Sequence, residues 1–170
     1  MPIVLIVGNK GSGKTLTGTR YAKEKLDLGY EIVSNYKMNF RHTILTEKDL
    51  KDYARWKYDN KAVFLDEAHI YLDCRMSMTK RNRLMSYWYA QTRKRNIWLF
   101  LMTQRSRNVD VRVKQLCDVL IKCKMLHIKG KQVVRLDKYY IEERLHKVEL
   151  YNPEKYYDLY DTNEIIQFRD

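Results

Sequence analysis

Residues 6–18, IVGNKGSGKTLTG, follow an apolar run and lead into a stretch that favours a helix. Gly8, Asn9, Lys10, Gly11, Ser12, Gly13, Lys14 and Thr15 fit the spacing G-x4-G-K-[ST] at every defined position. Three glycines let a backbone fold around an anion without Cβ clashes, so that its N–H groups point inward. The helix that follows adds the positive end of its dipole. The stretch from Gly8 to Leu16 therefore reads as a cradle for nucleotide phosphates, with ATP and Mg²⁺ as the expected cofactors. Lys14 is expected to reach the β- and γ-phosphates, and Thr15 to ligate the metal. Kinases, switches, helicases and DNA pumps share such a loop, so the rest of the chain has to say what the nucleotide is for.

The run PIVLIV ahead of the loop is continuously apolar and β-branched, as in a strand buried on both faces of a parallel sheet. EIVSN, AVFLDE and IWLFLMT read as further strands. A helix is expected from Lys14 to about Leu28, closed by Gly29. A second should open at Thr46, with Glu47 and Asp49 in its first turn, and run to about Tyr58. KRNRLMSYWYAQTRKR has helical spacing at Leu84, Trp88 and Gln91, and another helix should start at Asn108 or Asp110 and run through Leu116. DVLIKCKMLHIKGKQVVRLDKYY alternates around Gly130 and reads as an antiparallel hairpin at the sheet edge. Asn152 and Pro153 suit the N-cap and first position of a short last helix. Strands alternating with helices give an α/β fold, with a mainly parallel central sheet flanked by helices. Residues 1–150 are expected to form one nucleotide-binding domain, and 151–170 a tail whose short helix packs on that domain or on a partner.

AVFLDEAH supplies the second half of a site. A carboxylate at the carboxyl end of a buried strand falls beside the phosphate loop, which suits Asp66 as the acid on the metal side. Glu67 next to it can orient and deprotonate a water that attacks the γ-phosphate. His69 completes the letters DEAH and is read as a helix-start residue. IWLFLMTQR ends a strand in a polar amide, and Gln104 can stand near the γ-phosphate as a sensor.

Lys plus Arg is 33 and Asp plus Glu is 21, a formal net charge of +12 that favours a polyanionic partner. Between Cys74 and Val109 stand nine basic residues, Arg75, Lys80, Arg81, Arg83, Arg93, Lys94, Arg95, Arg105 and Arg107, with no acid among them. Tyr71, Tyr87, Trp88 and Tyr89 lie within or beside that segment, the composition of a surface that binds phosphate, from DNA or from a neighbour's ATP. Cys74, Cys117 and Cys123 show no metal or disulfide spacing, and no signal peptide is seen at the start, so free thiols in a reducing cytoplasm are expected. The longest apolar runs are six residues, against about 20 needed to cross a bilayer.

Taken together, GNKGSGKT, VFLDEAH, YAQTRKRNIWLFLMTQRSRNVDVRVKQLCD and YNPEKYYDLYDTNEI resemble the FtsK/HerA superfamily of DNA-pumping P-loop ATPases. Within it they resemble two viral branches: the genome-packaging ATPases of archaeal and bacterial viruses with double-jelly-roll capsids, and the Zot-like assembly ATPases of filamentous phages. The resemblance implies a RecA-like core working as a homo-oligomeric ring, hexameric or pentameric, with ATP between subunits and sequence-independent contact with DNA. It matches Lys14 and Thr15 to the phosphate loop, Asp66 and Glu67 to the acidic pair, Gln104 to the sensor, and Arg93 to an arginine that reaches the neighbour's site, with Lys94 or Arg95 as substitutes. Zot-like proteins carry a membrane span and an outer domain after this core, and neither is expected of this chain. The expectation is therefore a single-domain packaging ATPase in the host cytoplasm, with a capsid vertex protein as a further partner. The alternatives are a Zot-like assembly ATPase, a small nucleoside kinase, which would add a zinc-binding cysteine ribbon, and a morphogenesis protein that uses ATP only as a switch.

Overall fold

A computed structural model describes residues 2–46, 59–70, 91–92, 94–104 and 111–161. The helix expected from Thr46 to Tyr58, the helical stretch around Leu84 and Trp88, the helix start at Asn108 or Asp110, and most of the basic segment, Arg93 included, lie outside the described residues. The elements are β1 (Ile3–Val7), α1 (Lys14–Asp27), β2 (Glu31–Ser34), β3 (Thr43–Ile44), β4 (Lys61–Leu65), β5 (Trp98–Thr103), α2 (Val111–Leu116), β6 (Val119–Ile128), β7 (Lys131–Tyr140) and β8 (Leu145–Tyr151). Among the described residues there are also two 3-10 segments, Ala68–Ile70 and Pro153–Leu159.

All eight strands join one sheet in the order β3-β2-β4-β5-β1-β6-β7-β8. Pairing is parallel from β3 to β6 and antiparallel from β6 to β8. β1 is buried at every position: Ile3, Leu5 and Val7 pack into one core, Val4 and Ile6 into the other. That two-sided burial is what its unbroken apolar run requires. On the face under α1, Phe64 and Phe100 are cross-strand partners with rings stacked at 4.5 Å, and Tyr21 of α1 stacks on Phe100 at 5.6 Å. Thr17, Gly18, Thr19 and Ala22 form the buried side of α1, small enough to bring the helix close to the sheet. The Thr17 and Thr19 hydroxyls stay satisfied by donating to the carbonyls four residues back.

α1 closes as expected at Gly29, whose φ of 87° lets its N–H reach Leu26 O while Tyr30 N–H reaches Lys25 O. The β6–β7 turn at Lys129 and Gly130 has positive φ at both residues, the geometry that matches hairpin twist. One feature departs from expectation. β8 adds a third antiparallel strand to the hairpin; its residues are mostly exposed, Val148 and Leu150 among them, so it shows no apolar stripe. The short last helix forms as a 3-10 segment with Pro153 in its first turn, capped by Asn152, which accepts from Glu154 N–H at 3.0 Å. Asn39 holds this segment to the domain, donating to the carbonyls of Asp158 and Leu159 at 2.7 and 2.8 Å. Among the described residues no helix is long and apolar enough to cross a membrane.

A Cβ at Gly18 would lie 2.2 Å from Met102 Sδ, and Met102 is fully buried. In an open helix Gly→Ala gains about 1 kcal/mol. Here Gly18→Ala is expected to lower the melting temperature, and Met102→Ala to relieve part of that loss in a double-mutant cycle. A variant melting above wild type would show that α1 has room to lift.

Candidate nucleotide site

Parallel pairing sends the carboxyl ends of β1, β4 and β5 to one side of the sheet, and three loops open there. The loop after β1 carries Gly11 and Gly13 at φ 75° and 87°, where a side chain would be strained. Gly8 faces a different constraint, since a Cβ there would lie 2.6 Å from the carbonyl of Cys123 in β6. α1 begins at once after Gly13 with no side-chain cap and no acid in its first turn, so its N–H groups are left to an anion. Ser12 Oγ is buried without a hydrogen-bond partner, a donor that a phosphate oxygen would satisfy. Lys14 is buried along its stem and donates through Nζ to Asn9 O at 3.0 Å, which holds the ammonium over the loop. Leu16 is 2% exposed and sits in the core, so only its backbone can face the cradle.

Across the gap, Thr15 Oγ1 donates to Asp66 Oδ2 at 2.7 Å. Two hard oxygens so placed fit a magnesium ion, which takes oxygen ligands, few of them from protein. Burial pushes the Asp66 carboxyl above its ordinary range, against the lowering effect of the Thr15 hydroxyl and the Glu67 N–H. Asn35, at the end of β2, fixes Asp66 from behind: its amide oxygen accepts from Asp66 N–H at 2.7 Å, and its NH₂ donates to Asp66 O at 2.9 Å.

Glu67 has φ 48°, a left-handed conformation costing on the order of 1–3 kcal/mol in a residue with a side chain. The turn aims its carboxylate at two neighbours. Oε2 lies 3.2 Å from His69 Nδ1, and Oε1 accepts from Gln104 Nε2 at 3.5 Å, the long limit for a hydrogen bond. His69 Nδ1 also lies 3.4 Å from Thr103 Oγ1. His69, read from the sequence as a helix start, is thus in contact with the site. β5 lies between β1 and β4, so Gln104 emerges between the phosphate loop and the acidic pair.

Lys14, Thr15, Asp66, Glu67 and Gln104 are brought together; Arg93 is outside the described residues. Arg95 stands before β5, at the opposite end of the sheet, paired through Nε with Asp59 at 2.9 Å. The sequence reading missed Asn35 and Tyr160. Tyr160 follows the last 3-10 segment, and burial and the Asp66 carboxylate push its phenol up to about 12. Only the position of Asn35 at the end of an apolar strand marked it beforehand. Cys117 and Cys123 pack on opposite faces of the sheet and do not share a site.

Residues 4–125 match the model of the ATPase family associated with various cellular activities, AAA. The chain belongs to this AAA family. No curated protein matches the AAA-family chain in sequence. Its fold is similar to the N-terminal domain of zonular occludens toxin from Neisseria meningitidis, at TM-score 0.71 and 21% identity over 94% of this chain and 98% of that one. It is similar as well to the genome packaging NTPase of Sulfolobus turreted icosahedral virus 2 in complex with ATP-γS, at TM-score 0.63 and 16% identity over 87% and 96%. The flagellar accessory protein FlaH from Methanocaldococcus jannaschii follows, at TM-score 0.63 and 11% identity over 89% and 84%. The AAA-family chain is thus a P-loop ATPase domain built to bind ATP.

A buried aspartate with a raised pKa opposes folding once the unfolded chain has ionised. The penalty is absent below the ordinary aspartate value of about 3.9, grows as pH rises toward the folded-state value, and persists above it. Asn at position 66 can keep both hydrogen bonds, accepting from Glu67 N–H and donating to Thr15 Oγ1. Asp66→Asn should therefore raise the melting temperature at neutral pH without nucleotide or metal, and the gain should vanish toward pH 4. Equal melting curves at all pH values would show that the site already solvates the charge.

Proposed function

We propose that the chain is an ATP-driven motor of the FtsK/HerA kind that moves DNA during virus assembly, as a genome-packaging ATPase in the host cytoplasm. The observation that carries the ATPase half is Gln104, standing between phosphate loop and acidic pair with its amide on Glu67. In this reading Lys14 contacts the β- and γ-phosphates, the loop N–H groups and Ser12 hold the remaining oxygens, and Glu67 orients the attacking water and accepts its proton. Thr15 and Asp66 would hold Mg²⁺, which would supply positive charge to the nucleotide phosphates. Gln104 and His69 hold the Glu67 carboxylate in place. The DNA half is supported by the +12 charge and by similarity to a protein described as a genome packaging NTPase. A Zot-like assembly ATPase is the second reading, favoured by coverage of 98% of the zonular occludens toxin domain.

Lys14→Ala should abolish turnover and weaken ATP binding; Glu67→Gln should keep ATP bound and stop hydrolysis. ATPase activity should rise when duplex is added, with little sequence preference and a steep fall with salt, since phosphate contacts release counterions. Turnover indifferent to duplex and single strands alike would remove the motor and leave an ATP switch or a kinase. Cosedimentation with capsids favours packaging; coflotation with membranes of the producing host favours the Zot-like branch.

The ring reading assigns Arg93 to the neighbour's site, where a finger of this type contributes ~10³ to 10⁵ in rate. Arg93→Ala and Glu67→Gln subunits should each be nearly inactive alone. Mixed rings contain interfaces with both groups intact, and their ATPase should recover. Full activity of Arg93→Ala alone would move the role to another residue.

A further inference from the structure

The register of β1 on β6 pairs Val7 with Lys122, so Cys123 and Lys124 run on beside the phosphate loop after β1 has ended. This stretch closes on the loop: the backbone carbonyl of Cys123 crowds a side chain at Gly8, and the side chains of Met125 and Val134 crowd one at Gly13. Side chains alternate along a strand. Cys123 and Met125 turn toward α1, and Lys122 and Lys124 turn to the other face, both exposed. Beside this stretch a cleft of about 720 Å³ opens, walled by Lys10 and the rest of the loop on one side and by residues 122–125 and Asp137 on the other, with Gln104 also lining it.

The charges in this cleft do not cancel. Asp137 is engaged by Arg135 at 2.9 Å and by His146 at 3.4 Å. Among the described residues Lys124 makes no ion pair, and the Lys122 ammonium lies only over the Tyr139 ring at 4.9 Å. Three lysines therefore line one cleft beside the phosphate loop with the neighbouring carboxylate already neutralised, and the ligand chemistry that fits is a polyphosphate tail. We propose that Lys122 and Lys124 contact the terminal phosphates of the nucleotide held by the same chain, and so set its preference for a triphosphate over a diphosphate. This rests on the ATPase reading. It differs from a ring-borne arginine in needing no neighbour, and the two lysines are too far apart in sequence from the loop for any local motif to have marked them.

The test measures ATP-γS and ADP affinity for wild type, the K122Q/K124Q double variant and K122R/K124R, at a concentration where sedimentation shows monomer. Both positions are exposed, so melting temperatures should be unchanged. The glutamine variant should bind ATP-γS about tenfold or more weakly, the scale of a lost hydrogen bond to a charged group, with a much smaller change for ADP. The arginine variant should restore most of the difference. Equal loss for both nucleotides, or none for either, overturns the proposal. Loss seen only in assembled rings overturns it too, because the lysines would then serve a neighbour. A wild-type chain that binds neither nucleotide, like Lys14→Ala, would instead remove the ATP reading beneath it.

Discussion

Thr15 and Asp66 are 51 residues apart in the chain, yet their side chains meet at 2.7 Å. The rest of the site depends on that meeting, and the meeting depends on β5. β1 and β4 do not pair with each other; each pairs in parallel with β5, and the shared register levels Val7 with Thr103 and Leu65 with Leu101. A one-residue slip in either ladder would turn every side chain to the other face. It would separate the loop from the acid and disturb two cores at once, because β1, β4 and β5 are buried on both sides. The apolar packing therefore sets the geometry of the polar site.

Two costs are concentrated at the end of β4. Asp66 is held in a buried position that opposes its charge, and Glu67 is held in left-handed backbone that glycine or asparagine would adopt with less strain. Both are offset locally. Asn35 fixes the Asp66 backbone through two hydrogen bonds, and the Glu67 N–H returns to Asp66 Oδ1 at 2.8 Å. The same strained turn brings the Glu67 carboxylate to His69 and Gln104. A residue better suited to the backbone would lose that carboxylate, which can take a proton from water.

Much of this was legible in the sequence because it is local. A strand buried on both faces is a continuous apolar run, a phosphate loop is a fixed spacing of glycines, and the β6–β7 turn announces itself through Gly130. What escaped depends on pairing. β8 presents exposed Val148 and Leu150; it is placed by hydrogen bonding to β7 and by Glu149 and Tyr151, which reach Arg20 and Thr17 of α1. β3 is two residues long. Asn35 matters because β2 lies next to β4, and Lys122 because β6 lies next to β1; neither neighbour can be read from spacing along the chain.

The polarity of the sheet also separates the two groups of positive charge. Lys14, Lys122 and Lys124 stand around the carboxyl ends of the strands, where the loop opens. Lys94 and Arg95 stand before β5, and its six residues, at about 3.3 Å each, carry the chain ~20 Å before Gln104 is reached. Arg95 is also paired there with Asp59, which anchors the turn before β4 to the turn before β5. A guanidinium so placed cannot swing across the sheet to its own nucleotide. Any nucleotide phosphate that Arg95 meets would therefore belong to another copy, and a contact of that kind, using different surfaces on its two sides, would close into a ring where its rotation permits.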